Sequence, residues 1–406
     1  MTIVVDENFC GPIPVIIKVI GVGGGGTNAI NRMIEGMLAG VEFITINTDL
    51  QDLVRKSIAS NKIQIGKKLT GGRGAGGNPE KGEKAANEDH DLIREQVKDA
   101  DMVVITAGMG GGTGTGAAPV IAQIAKEEGV LTVAVVTKPF GFEGPYKMAL
   151  AEEGIRKLRG VVDTLITIPN QQLLSIVEQK TSLIQAYQKA DEVLCEGVRS
   201  ISDLITRPGL VNIDFADVES TMKNQGDALL GIGIGSGENR AAAAAQKAID
   251  NPLLEATKID GATRILVNVS ANNELALTEL DEIINIIRSN ADPNVSIIHG
   301  VTLAEELGDS VRVTVIATGF QGKNQALNNS GVAGEPVKPR ETDFIDITEW
   351  QKIRGATKPV DFLSRRGEVY TEEDLDVPAI MRKTPKPPPS DPSLPGLPGV
   401  SGIKGL

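Results

Sequence analysis

Two glycine-rich stretches carry the strongest chemical signal in this chain. The first, Gly21-Val-Gly-Gly-Gly-Gly26, fits GxGxxG and lies between an apolar β-branched run at residues 15–20 and a helical apolar pattern over residues 28–38. In that setting backbone amides and a helix N-terminus point at an anion, so the motif reads as a pyrophosphate grip. Asp49, just after the next strand-like run at residues 41–47, lies where the ribose-binding acid of a dinucleotide site would sit. Taken alone, this stretch supports NAD or FAD binding, with a plain tight turn as the bland alternative. The second stretch, Gly108-Met-Gly-Gly-Gly-Thr-Gly-Thr-Gly116, follows a strand-like run at residues 102–106 and opens a helical pattern over residues 117–128. Its glycines let consecutive amides converge on an anion, and Thr113 and Thr115 add hydroxyl donors. Two such loops on neighbouring strand ends imply a polyphosphate gripped from two sides. A third glycine run, residues 71–77, can close over it. No GxxxxGK[ST] occurs, so this is not a Walker P-loop.

Groups able to act on water are few. The segment Asn212-Ile-Asp214-Phe-Ala-Asp217 holds two carboxylates just before a helical run. By itself Asp217 reads as a helix N-cap and Asp214 as a turn residue. Of the two histidines, His90 reads as a solvated helix residue and His299 as the end of a strand, so the carboxylates are the remaining candidates to position water. Tyr187 and Asp191 share a helix face at i and i+4. On spacing alone, one reads as core and the other as a solvated charge.

These residues need a scaffold, and the pattern supplies one. Short apolar strands at 15–20, 41–47, 102–106 and 131–136 alternate with helical patterns, which predicts a parallel α/β sheet. Residues 181–206 keep a 3.6-residue apolar period over about 39 Å, enough to cross a domain. A second folded region spans residues 221–320, with strands expected at 264–269, 295–300 and 312–317 and helices at 241–249 and 277–288. Residues 321–373 read as a flexible linker. Residues 374–383 (DLDVPAIMRK) form a short patterned motif. Eight of the 21 prolines fall at or after Pro378, so residues 384–406 read as a Pro/Gly-rich disordered tail, and residues 1–12 as a disordered lead-in.

Composition narrows the class. The 406 residues include 2 Cys and 2 His, too few for a disulfide framework or a four-cysteine zinc site, and Cys195 reads as core. Aromatics make up 3% of the chain, so the core must be aliphatic. A net charge of −12 argues against nonspecific nucleic-acid binding. The absence of a signal-like start or a membrane-length apolar run predicts a cytoplasmic protein with no direct membrane insertion.

The motifs also resemble a known family. GGGTGTG is the signature of the tubulin superfamily, and the chain resembles the FtsZ family from about residue 15 to 320. The matching stretches include KVIGVGGGG, INTD, GAGGNPE, TAGMGGGTGTGAAPV, TKPF, FEG, IPN, RPGL and NIDFADV, and DLDVPAIMRK resembles that family's terminal peptide. The resemblance implies a tubulin/FtsZ-like α/β fold. A Rossmann-type GTP-binding domain (13–180) would be followed by a central helix (181–206), a catalytic loop with its helix (207–224) and an α+β C-terminal domain (225–320). It implies GTP/GDP and Mg²⁺, held mainly through the phosphates rather than by protein ligands, with K⁺ as a further candidate cation. For the nucleotide it implies Gly24, Gly25, Gly26, Thr27, Asn28, Asn47, Asp49, Gly76, Gly77, Gly110, Gly111, Gly112, Thr113, Gly114, Thr115 and Lys147. Glu143 would contact ribose, Asn170 the base, and Tyr187 and Asp191 would recognise guanine.

It further implies that Asn212, Asp214 and Asp217 enter the nucleotide site of the next subunit, so that hydrolysis accompanies head-to-tail self-assembly at a midcell division ring. Membrane tethers and division regulators would bind residues 374–383. Lys147 stands where the family usually has Arg, and Thr27 where a smaller residue is usual. Trp350 and the Pro-rich extension are also atypical. A non-catalytic tubulin-like scaffold and, remotely, an NAD-dependent oxidoreductase are the alternatives.

Overall fold

The computed structural model describes residues 15–175, 181–207, 209–251, 259 and 261–320. The expectations for residues 1–12, 321–373, 374–383 and 384–406 lie outside the described residues. Six parallel strands form one half of the sheet: β1 (Ile17–Val22), β2 (Glu42–Asn47), β3 (Asn61–Gln64), β4 (Met102–Gly108), β5 (Leu131–Lys138) and β6 (Thr164–Pro169). Their order is β3-β2-β1-β4-β5-β6. The other half contains β7 (Gly209–Val211), β8 (Gly226–Gly235), β9 (Arg264–Ala271), β10 (Ser296–Leu303) and β11 (Val311–Thr318). It continues from β6 as β8-β11-β9-β10-β7, with β6 and β8 pairing in parallel. The sequence thus folds as the expected α/β architecture, a parallel doubly wound half joined to a mixed half.

The helices are α1 (Gly23–Glu35), α2 (Leu50–Arg55), α3 (Lys67–Thr70), α4 (Pro79–Glu88), α5 (His90–Val97), α6 (Thr113–Glu127), α7 (Pro145–Arg159), α8 (Asn170–Leu173), α9 (Leu183–Thr206), α10 (Phe215–Met222), α11 (Arg240–Ile249) and α12 (Leu277–Ser289). Alternate residues of β1 serve opposite faces, as a pleated strand requires. Ile17 and Val19 join a core with Ile30 and Met33 of α1 and Leu194, Val198 and Ile201 of α9. Ile20 and Val22 join a second core with residues of α4, α5, α6 and α7. A third core lies between the β9–β11 strands and α11 and α12. As the composition requires, these cores are almost wholly aliphatic, and Cys195 is buried in the first.

The central helix starts two residues later than its apolar pattern. Ser182 Oγ accepts the Gln185 N–H at 3.3 Å, and Gln185 Oε1 accepts the Ser182 N–H at 2.8 Å, a reciprocal cap that fixes the start. Other features also depart from the sequence reading. Helix α1 begins at Gly23, inside the glycine run, because glycine carries no apolar period to reveal it. Helix α4 is invisible in the pattern because it buries only Gly82, Ala85 and Ala86. The N-cap residue of α10 is Asp214, not Asp217, which is the third residue of the helix. His299 lies within β10 rather than at its end.

Candidate functional site

In the β3-β2-β1-β4-β5-β6 order, the chain reverses direction of travel across the sheet between β1 and β4. The crevice at the carboxyl ends of these strands is where open α/β sheets bind ligands. Both glycine loops leave from these two strand ends. A Cβ on Gly26 would stand 2.6 Å from the Thr106 carbonyl oxygen, so the first loop lies directly on β4. A Cβ on Gly112 would stand 2.8 Å from Ala75 Cβ and 2.9 Å from the Asn78 nitrogen, so the third glycine run packs against the second. The Thr48 and Thr113 hydroxyls meet at 2.7 Å and join the end of β2 to the same assembly. The three glycine segments are therefore brought together.

Several polar side chains here hold the loops. Thr27, fully buried, donates its hydroxyl to the Gly23 carbonyl at 2.9 Å. Thr115 Oγ1 accepts the Gly110 N–H at 2.8 Å. Asn47 donates to Asp52 Oδ2 at 2.9 Å and accepts the Asp49 N–H at 3.2 Å. Asp49 caps α2 by accepting the Gln51 and Asp52 N–H groups. Of the other sequence-predicted positions, Gly24, Gly25, Asn28, Gly76 and Gly77 are exposed, Gly111 is half-buried and Gly114 is buried. Among the described residues no cluster of three or more His, Cys, Asp or Glu could hold a metal ion.

The second wall comes from the segment after β5 and from α9. Glu143 accepts the Phe140 N–H at 3.0 Å and the Lys147 ammonium at 3.2 Å. Phe140 stacks on Phe142 at 5.1 Å and meets the Tyr187 ring edge-on at 5.4 Å. Burial, then the nearby Glu143 charge, push the Tyr187 phenol pKa up. Asn170 is buried, and among the described residues its Oδ1 has no hydrogen-bond partner. An orphaned buried acceptor is costly, and a ligand N–H would satisfy it. Asp191 lines a cavity of about 420 Å³ with Asn28 and Tyr187. Burial raises its pKa to about 6 against the opposing charge of Arg32. Sequence reasoning missed Phe140 and Thr48. Both sit inside motifs already singled out, TKPF and INTD, and their role emerges only from packing.

Asn212, Asp214 and Asp217 are not brought to this cradle. All three are exposed. Asn212 accepts the Gly209 N–H at 2.7 Å, which shapes the turn. Among the described residues neither Asp214 nor Asp217 has a side-chain hydrogen bond or ion pair. Between Tyr187 and the end of α9 at Thr206 lies about 29 Å at 1.5 Å per residue. The aromatic wall and the carboxylate loop lie toward opposite ends of one helix.

The comparisons with known proteins agree with this geometry. Residues 16–178 match the Tubulin/FtsZ family GTPase domain, and residues 226–321 match the FtsZ family C-terminal domain. An empty FtsZ dimer from M. jannaschii is 48% identical, covering 76% of this chain and 89% of that chain with a TM-score of 0.72. A tryptophan-to-tyrosine mutant of FtsZ from the same organism has equal identity and TM-score, over 76% and 92% of the two chains. CetZ1 from Haloferax volcanii, a GDP-bound monomer, is 21% identical over 75% and 94% of the two chains with a TM-score of 0.66, a likeness of fold alone. CetZ2 from the same organism, a GTPγS-bound protofilament, is 17% identical over 78% and 99% with a TM-score of 0.64, again a likeness of fold.

Proposed function

The chain belongs to the Tubulin/FtsZ family of GTPases, and from that premise we propose that it binds GTP in the β1–β4 crevice and hydrolyses it only when a second copy completes the site. The observation that carries this reading is the pair of exposed carboxylates, Asp214 and Asp217, without a side-chain partner among the described residues and at the end of α9 remote from the base wall. A carboxylate held for its own chain's nucleotide would be built into the cradle as Asp49 is. These two instead project from a surface, as groups offered to a neighbour do. Stacking subunits head to tail would bring the 209–217 loop of one copy over the glycine loops of the next, and a heterologous contact that does not close makes filaments. Relatives solved as a dimer and as a protofilament support self-association.

In this reading the glycine-loop amides bind the phosphates, Glu143 and Lys147 flank the ribose, and Asn170, Tyr187 and Asp191 read the base. Asp214 and Asp217 of the neighbour orient the attacking water, with Asn212 shaping their loop. Mg²⁺, with K⁺ as a second candidate cation, would neutralise phosphate charge when bound. Filaments of this kind serve a ring at the midcell division site, where residues 374–383 engage membrane tethers and division regulators. No helix among the described residues is long and apolar enough to cross a membrane. The test is phosphate release per molecule across protein concentrations, with sedimentation in parallel. We expect specific activity to climb steeply with concentration and to track sedimentation. Turnover independent of concentration would overturn assembly-dependent hydrolysis.

A further inference from the structure

The base cavity is closed on its far side by α1, and one α1 side chain faces the Asp191 carboxylate. Arg32, partly exposed, places its Nε 3.8 Å from Asp191 Oδ2. That separation is an ion pair and too long for a hydrogen bond. Arg32 and Asp191 both line the cavity that holds Tyr187, with Glu35 beside Arg32 and Ile184 beside Tyr187. The Asp191 side chain is only 18% exposed, so its charge is poorly served by water and depends on its neighbours.

We propose that Arg32 is a specificity-determining positioning residue, whose guanidinium keeps Asp191 a carboxylate facing the base cavity and thereby sets the preference for guanine. The inference rests on the reading of Tyr187 and Asp191 as the base-recognition pair. An ionised carboxylate accepts from both the ring N–H and the exocyclic amine of guanine. A protonated one commits an oxygen to its own proton and opposes those donors. Burial favours the neutral form and raises the Asp191 pKa to about 6, Arg32 opposes that rise, and Glu192 reinforces it. Among the described residues the charged groups around the carboxylate are Arg32 and Glu35 from α1 and Glu192 from α9. Arg32 is the only cation among them, so removing it moves protonation of Asp191 toward neutral pH. The effect is loss of guanine reading as pH falls, with recovery as pH rises.

The experiment measures binding of GTP, inosine triphosphate (which lacks the exocyclic amine) and ATP to the full chain between about pH 5.5 and 8.5. In the wild type the preference for GTP over inosine triphosphate should hold above neutral pH and decline near pH 6. In Arg32→Met the decline should move upward, with GTP affinity about tenfold weaker at pH 6.5 and near wild type at pH 8.5, the scale of a charged hydrogen bond. Arg32→Lys should restore the wild-type profile. Arg32→Gln, gentler on folding, should behave as Arg32→Met. In an Asp191→Asn background, either Arg32 substitution should have no further effect on the preference. An unshifted profile, or an equal loss in the Asp191→Asn background, would overturn the proposal while leaving GTP binding intact. A wild-type chain that binds no guanine nucleotide at any pH would instead overturn the proposed function beneath it.

Discussion

The glycine cradle and the loop after α9 are built on opposite principles. In the cradle the backbone is crowded to the point that Gly26 and Gly112 have no room for a Cβ, and nearby hydroxyls and amides are tied into the loops. In the loop, Asp214 and Asp217 are exposed and held by nothing among the described residues. A site made of backbone is rigid and specific for shape and charge, and its ordering is complete once the chain has folded. A site made of free carboxylates gains its geometry only when something else orders it. On the proposed function the contrast separates binding, which one chain would complete, from hydrolysis, which would need a second copy.

The largest effect should come from the exposed side. Asp214→Ala should leave GTP affinity unchanged and lower phosphate release by about 10²–10³, the scale of losing one preorganised polar group. Mixed with wild type, it should depress the activity of the mixture below the weighted mean, because each variant spoils a neighbour's site. Activity equal to the weighted mean would collapse the distinction between the two regions. Gly112→Val strikes the cradle instead. The added carbons meet Ala75 and Asn78, so the 71–77 run must move, and GTP affinity should fall about tenfold or more in equilibrium dialysis. Unchanged affinity would mean that the packed loops do not define the phosphate site. Glu143→Gln should cost less, a several-fold loss in affinity, since it removes the charge facing Lys147 and the ribose side while the Phe140 N–H keeps an acceptor.

Legibility in the sequence follows the same divide. The cradle announces itself because glycine runs at strand ends are readable in the sequence. The tubulin/FtsZ fold and the parallel half of the sheet follow from short aliphatic runs and the signature motifs. The inward turn of Thr27 and Thr115 is not readable, because a threonine in a glycine loop looks like a donor until its partner is known. Helix α4 escapes because its buried face is made of glycine and alanine. Asp217 looks like the cap because Val218 begins an apolar run, whereas Phe215 already starts the helix. The partnership of Arg32 with Asp191 joins residues 159 positions apart on two helices, a contact that periodicity does not report.

Helix α9 joins the two regions, and it holds a half-buried carboxylate, Asp191, toward one end and a buried one, Asp203, toward the other. Asp191 stands by the base wall and Asp203 by the loop, and burial raises both to about pKa 6. Asp203 lies 2.9 Å from the Arg207 guanidinium, an ion pair without hydrogen-bond alignment, and Arg207 in turn lies 3.8 Å from Glu306. Each acid has a folded pKa above its unfolded value, so the native state holds more protons between about pH 4 and 6 and stability falls as pH rises through that window. At about 1.4 kcal/mol per pKa unit, each costs roughly 2–3 kcal/mol once ionised. Asp203→Asn should therefore gain on the wild type in melting temperature from pH 4 to 7 and hold a constant difference above that. GTP should separate the two ends. If the base donates to Asp191 as proposed, it should stabilise the ionised form and remove that residue's part of the pH dependence, while the part due to Asp203 should persist. A nucleotide that flattened both contributions equally would mean that the two ends of α9 respond as one, and the contrast between cradle and loop would fail at the helix that connects them.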